Sequence, residues 1–378
     1  MSFNRKEKNE AVAATRLSII IPCFNEEKTL EKCIDRVLEL ENDSLSLEIV
    51  IVDDASTDNS RSIALKIAKD HLNVICLSHQ TNLGKGAALN TGFQKATGDF
   101  IAVQDADLEY NPMDLKKLLV PLISEDADVV LGSRFLSSEP RRVLYFWHSM
   151  GNRFLTFLSN MFTDLNLTDM ETCYKVFRKD VIQKIKIKEA RFGVEPEIVA
   201  KIAHMRLRIY EIGISYNGRT YDEGKKISAK DGFRAIYCIF RYNAHKAPLP
   251  VQFLLYLFIG GGAAVVNLIS FLFLYHGGIQ TGIAAPVSFI IAALVNYKLC
   301  ILLLFRHKVR WSSGLEFAIF AVVVFLICGV DYFLTNTFIV QGFSPGISKI
   351  TASLFSLILN FSGRRFLVFP EPPSGPWV

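Results

Sequence analysis

The 378 residues are 50% hydrophobic and carry 42 Lys and Arg against 37 Asp and Glu, a formal net charge of only +5. That is chain enough for two domains, and the modest charge, much of it beside the apolar segments, fits an anionic membrane surface better than nucleic acid. The seven cysteines are dispersed and include no Cys-x-x-Cys pair, which argues against a disulfide framework and a zinc site.

Residues 1–16 are polar, with no apolar run or cleavage site, so they read as a lead and not a signal peptide. A short β-rich run over 17–21 stops at Pro22, and Asn25-Glu26-Glu27 opens a helical pattern to about Leu40. A second strand, 47–52, ends on Asp53-Asp54, and Ser56, Thr57 and Asp58 are cap candidates for a helix to about Asp70. Strands over 74–77, 100–103 and 129–131 then alternate with helices over 87–96 and 113–122. This alternation predicts an α/β domain over 17–229 with a doubly wound, mostly parallel sheet, whose ligands bind at the strands' carboxyl ends. Asp53, Asp54, Asp105 and Asp107 lie at those ends.

The strand 100–103 runs into Asp105-Ala106-Asp107-Leu108-Glu109, with carboxylates at alternate positions. In extended backbone these three side chains point the same way and converge on one hard cation, Mg²⁺ or Mn²⁺. A solvated acidic turn is the plain alternative. Asn82-Leu83-Gly84-Lys85-Gly86 lacks the Walker spacing, so Lys85 meets a diphosphate or sits in an ordinary turn. The aromatic stretch 141–162 suits a helix in a membrane interface or a buried core helix. Glu195 and Glu197 fall in the first turn of a helix and read as structural caps. The segment 216–226 is a basic, glycine-bearing loop suited to closing on phosphate, or a plain surface loop. The basic segment 230–250 follows, with Phe233, Ile236, Tyr237 and Phe240 at helical spacing, as in a juxtamembrane helix.

Four apolar segments, 251–275, 283–305, 315–340 and 347–369, are each long enough to cross a hydrocarbon core of about 30 Å. A shift of 64 residues lays the second pair on the first, with Asn267 on Asp331, Gly278 on Gly342 and Asn296 on Asn360. The region 251–369 therefore reads as a duplicated two-helix hairpin, followed by a tail, 370–378. Arg306, Lys308 and Arg310 fill the central loop while the outer loops carry no Lys or Arg, which puts both termini in the cytoplasm.

Five stretches in order carry a family resemblance: 21–26 (Ile-Pro-Cys-Phe-Asn-Glu), 52–58, 82–86, Asp105-Ala106-Asp107 and Gly132-Ser133-Arg134. Together they resemble the family 2 inverting glycosyltransferases of GT-A fold, and among those the dolichyl- or polyprenyl-phosphate sugar synthases. Residues 251–369 are similar to the GtrA-like four-helix membrane domain. The resemblance implies that Pro22, Phe24, Glu26, Ile51 and Asp53 hold a nucleotide, with Lys85 and Ala106 beside them. It implies that Asp105, Asp107 and Glu109 hold Mg²⁺ or Mn²⁺ and the donor diphosphate, and that Arg134, Arg219 and Lys226 face the donor and acceptor phosphates.

The partners so implied are a nucleotide sugar (a UDP-hexose or GDP-mannose), polyprenyl (undecaprenyl) phosphate and the inner membrane, with self-association in related membrane domains and no nucleic acid. A lipid monophosphate is mostly a dianion at neutral pH, so a general base is unnecessary and in-line attack inverts the anomeric carbon. The same donor chemistry with a glycan or protein acceptor, or a membrane domain that moves lipid-linked sugar, are the rival readings.

Overall fold

The structure is a computed structural model that describes residues 15–136, 142–143, 145–219, 229–305 and 313–370. It divides between Tyr242 and Asn243 into two compact units. In the first, the chain alternates β1 (Thr15–Cys23), α1 (Leu30–Leu38), β2 (Leu45–Asp53), α2 (Ser60–Asp70), β3 (Val74–Ser78), α3 (Lys85–Lys95), β4 (Phe100–Val103), α4 (Asp114–Ile123) and β5 (Val129–Ser133). There follow α5 (Phe146–Thr163), β6 (Lys175–Arg178), α6 (Lys179–Ile182), α7 (Val194–His204), β7 (Ile209–Gly213) and α8 (Ala229–Asn243).

The strands form one seven-stranded sheet in the order β3-β2-β1-β4-β6-β5-β7. Strands β1 and β2 hold Ile19, Ile20, Ile21, Ile49, Val50, Ile51 and Val52 fully buried, consecutive β-branched residues without alternation. That pattern belongs to a parallel strand covered on both faces. The sheet is more mixed than the alternation predicts, because β6 runs antiparallel to both β4 and β5. Strand β1 also continues through Pro22 to Cys23. Its pairing with β4 ends at Ile20 opposite Val103, so beyond that level only β2 flanks it and a proline is tolerated. The sheet's order reverses between β1 and β4, which opens a crevice at their carboxyl ends.

Two helices of this unit present apolar faces outward. On α5, Asn152, Thr156, Ser159 and Phe162 are buried, while Phe146, Trp147, Phe154 and Phe157 are exposed. Polar residues inside and aromatics outside invert the usual soluble pattern, as an interfacial helix requires. Helix α8 lies within the stretch read as juxtamembrane, yet it packs on the first unit through Ala235, Cys238, Ile239 and Tyr242. Glu189 fastens it, accepting from Arg234 Nη2 at 2.6 Å and from Tyr242 OH at 2.9 Å.

The second unit consists of α9 (Leu249–His276), α10 (Thr281–Leu299), α11 (Ser313–Val340) and α12 (Pro345–Gly363). Each helix of the second pair begins and ends 64 residues after its counterpart in the first. Wide i→i+5 turns, Cys300–Phe305 and Arg364–Val368, extend α10 and α12 and start at the same offset. Among the described residues one helical stretch, Leu249–Leu274, is long and apolar enough to cross a membrane, and Ile290–Phe305 and Gly314–Ile327 are shorter apolar stretches. The loop with Arg306, Lys308 and Arg310, and the side chains of Asn267 and Asp331, lie outside the described residues.

Candidate active site

Three non-glycine residues with left-handed backbone stand just past the carboxyl ends of β1, β2 and β4: Asn25 (φ 55°), Ala55 (φ 58°) and Leu108 (φ 63°). Strain gathered at one edge of a sheet marks a built site. Phe24 is partly exposed after β1, Pro22 and Ile51 lie within the paired strands, and Asp53 closes β2, fully buried. Asp53 accepts from the Ser56 amide at 3.3 Å through Oδ1, and its Oδ2 has no partner among the described residues. Neighbouring Asp54 is committed to structure. Its carboxylate accepts from the Leu83 and Gly84 amides at 2.9 and 2.7 Å and contacts His79 Nδ1 at 2.7 Å, which fixes the loop leading to Lys85.

The carboxylates 105–109 do not lie on an extended strand. Strand β4 ends at Val103, and residues 106–109 make a turn in which Leu108 reverses the backbone, so alternate spacing is not what gathers the side chains. They are gathered by a partner that spacing does not reveal. Arg219 reaches Asp107 Oδ2 at 2.8 Å and Glu109 Oε1 at 3.1 Å, and stands 3.8 Å from Glu26 Oε2. Glu109 also accepts from Tyr216 OH at 2.7 Å through Oε2, so both of its oxygens are engaged. Burial, then the charges of Asp105 and Glu109, push Asp107 up to about 7 against the pull of Arg219.

Lys85 opens α3 and sits between two carboxylates, 2.9 Å from Asp105 Oδ1 and 3.1 Å from Glu195 Oε1. Burial opposes its charge, yet Asp105 and Glu195 hold the ammonium well above the usual lysine range. Gly84 has φ +98°, and a Cβ there would lie 2.5 Å from the Ala190 carbonyl oxygen, so only glycine brings this turn against the 189–190 backbone. The same contact draws α7 in, and with it Glu195. Glu195 stands in the first turn of α7, as its spacing predicts, makes no capping hydrogen bond among the described residues, and pairs instead with Lys85 beside the acidic turn.

Arg134, at the end of β5, is buried and bound bidentately by Asp169, with Nε–Oδ2 and Nη2–Oδ1 both 2.7 Å. Its guanidinium also stands 5.2 Å above the Tyr216 ring, beneath which Tyr110 and Tyr174 continue an aromatic column. Arg134 thus reaches the site already paired. In the polar turn before β6, Lys175 is buried and donates to the Met170 and Thr172 carbonyls, and burial lowers its pKa. Burial and the charge of Glu195 push Glu171 up to about 8. Ala106 is buried behind the acidic turn, and Lys226 lies outside the described residues.

This geometry agrees with the comparisons to known proteins. The family described as Glycosyl transferase family 2 matches residues 18–186, and GtrA/DPMS, transmembrane domain, matches residues 255–369. Residues 18–186 are thus a family 2 glycosyltransferase domain. The sheet is of the GT-A type, and the second unit makes the chain a membrane protein. The transferase is 28% identical to low-salt glycan biosynthesis hexosyltransferase Agl6 of Haloferax volcanii over 356 residues, 88% of this chain and 82% of that protein. It is 28% identical to dolichyl-phosphate beta-glucosyltransferase ALG5A of Trichomonas vaginalis, over 54% of this chain and 67% of that one. A third relative, dodecaprenyl-phosphate galacturonate synthase of Rhizobium johnstonii, is 26% identical over 57% of this chain and 63% of its own length.

A divalent cation fits the acidic turn of the transferase through two side chains. Asp105 and Asp107 supply hard oxygens, each only partly buried and each now neutralised by one cationic side chain, Lys85 or Arg219. Magnesium-like ions are held by one or two carboxylates plus substrate phosphate oxygens, so a third protein ligand is unnecessary. Among the described residues no group of three His, Cys, Asp or Glu side chains forms a closed cage.

Proposed function

We propose that the protein transfers a sugar from a nucleoside-diphosphate donor to a polyprenyl phosphate at the cytoplasmic membrane face, with inversion and with help from Mg²⁺ or Mn²⁺. The observation that carries this reading is the exchangeable pairing at the switch point, where Lys85 and Arg219 rest on Asp105 and Asp107. Asp105 and Asp107 would hold the ion, and the chemistry it would supply there is Lewis-acid neutralisation of the leaving diphosphate. Lys85 and Arg219, relieved of those carboxylates, turn to the donor and acceptor phosphate oxygens. Glu109, engaged by Tyr216 and Arg219, positions the arginine and is not a ligand. Asp53, with its unpartnered Oδ2, takes a donor group of the nucleoside, and Phe24, Pro22, Glu26 and Ile51 line its seat.

Arg134 acts through its bond to Asp169, holding the turn 169–175 in place, and the family pattern gives Lys226 a role toward the lipid phosphate. The relatives named for dolichyl and dodecaprenyl phosphate support the lipid acceptor. So does α5, whose exposed aromatics lie in the same unit as the acidic turn. Helices α9 to α12 cross the membrane as two hairpins, with the basic central loop and both termini cytoplasmic. The test uses full-length protein in detergent with labelled nucleotide sugars and undecaprenyl phosphate. Label must pass into organic-soluble lipid, and label found only in glycan or protein sinks the acceptor assignment.

A further inference from the structure

Next to the acidic turn lies a second group of polar side chains that the reading above leaves unused. Glu195 is 7% exposed, gives Oε1 to Lys85, and keeps Oε2 buried with no partner among the described residues. Glu171 Oε1 and Thr172 Oγ1 are buried and unpartnered in the same way, and Thr172 is wholly inaccessible. Buried acceptors left unpaired weaken a fold, so several together call for a compensating ligand. That ligand is not a cation, since the ammonium groups of Lys85 and Lys175 already serve this cluster. It is a molecule that brings hydroxyl groups.

Lys85 sets its place. The same ammonium touches Asp105 at 2.9 Å and Glu195 at 3.1 Å, so Glu195 stands one ammonium away from a carboxylate assigned to the donor diphosphate. A sugar bonded to that diphosphate comes to rest among these atoms. We infer that Glu195, Glu171 and Thr172 form the donor-sugar subsite and select a neutral, hydroxyl-bearing sugar against a uronic acid. Sugar hydroxyls donate to the orphaned oxygens, whereas a sugar carboxylate would be buried against the bare Oε2 of Glu195, an acceptor to which it has no proton to give. Glu171, pushed up to about 8 by burial, keeps a proton near neutrality and so brings a donor as well as acceptors to a sugar hydroxyl.

The inference rests on the transferase reading, so it is tested by donor binding without any acceptor. Full-length protein with Mn²⁺ is titrated calorimetrically with UDP, UDP-glucose and UDP-glucuronate, and with GDP, GDP-mannose and GDP-mannuronate. Each sugar is scored as the ratio of its Kd to that of the bare nucleotide, so every variant is its own reference. In the wild type one neutral donor should bind about tenfold tighter than its nucleotide, and its C6 acid counterpart no tighter than the nucleotide. Glu195→Gln should narrow the neutral-to-acid ratio about tenfold. Glu171→Ala should bring the neutral donor back to the affinity of the nucleotide. Equal binding of neutral and acid donors by the wild type, or ratios unchanged in Glu171→Ala, overturns the inference. Protein that binds with the expected ratios yet labels no lipid leaves the subsite standing and removes only the acceptor assignment.

Discussion

Glu195 and Glu197 lie two residues apart in the first turn of α7, both are buried, and they differ in every partner. Glu197 is fully satisfied, accepting from the Lys188 amide at 2.8 Å, the Glu189 amide at 2.7 Å and Lys201 Nζ at 2.5 Å. Glu195 shares its one cation with Asp105 and leaves an oxygen bare. One turn of helix thus carries a carboxylate that holds the fold and another that the fold holds for something else. Burial alone does not separate the two roles, whereas completeness of partners does. The same division runs across the sheet edge. Asp54 and Asp169 are fully engaged, while among the described residues Asp53 is partnered incompletely and Asp105 and Asp107 pair with cations shared with a second carboxylate.

The largest expected effect breaks the structural side of this contrast. Glu197→Ala leaves Lys201, which is 5% exposed, with the Lys186 carbonyl but without its counter-charge, and strips the Lys188 and Glu189 amides of their acceptor. Breaking a buried pair from one side costs about 3–5 kcal/mol. Urea unfolding of the transferase unit, followed by tryptophan fluorescence, should show a loss in that range. A loss under about 1 kcal/mol would mean that full partnering is no guide to a structural role.

Asp107→Asn tests the other side and should leave the fold standing. Asp107 is charged at the expense of burial and of two neighbouring carboxylates, so the amide removes a repulsion along with the Arg219 ion pair. Sugar transfer to lipid should fall by roughly 10²–10³, the usual effect of removing one preorganised electrostatic group. The thermal midpoint should be no lower than that of the wild type. A parallel fall in midpoint and in transfer would place Asp107 with Glu197 among the structural carboxylates.

How much of this was legible in the sequence follows the same line. The apolar runs 17–21, 47–52 and 100–103 announce their strands because buried parallel strands leave a compositional mark. The 64-residue offset is likewise visible because every helix boundary repeats it. Side-chain convergence was legible only where it is local. Asp105 and Asp107 declare themselves by proximity, but the turn at Leu108 and the reach of Arg219 from more than a hundred residues away leave no periodic trace. The pairing of Glu195 with Lys85 left no trace for the same reason, since the two are brought together through the glycine contact at 189–190. Long-range pairing is a property of topology, which spacing does not encode.

The smallest expected effect concerns the outward face of α5, where the proposed lipid contact falls on exposed residues rather than buried ones. Phe154 and Phe157 are 54% and 64% exposed, while Phe162 on the same helix is 1% exposed. If the outer aromatics seat the unit at the lipid surface, replacing Phe154 and Phe157 together by Ser removes apolar contact with the bilayer and nothing from the core. The KM for polyprenyl phosphate in vesicles should then rise about three- to tenfold, with donor Kd and thermal midpoint unchanged, since the transmembrane domain matched over 255–369 is untouched. Phe162→Ser should do the reverse, lowering the midpoint without a selective change in lipid KM, because that ring packs edge-to-face on Phe240 at 4.9 Å. Should the outer pair instead lower the midpoint and spare the lipid KM, α5 is a core helix facing a protein surface and the lipid acceptor loses its structural support.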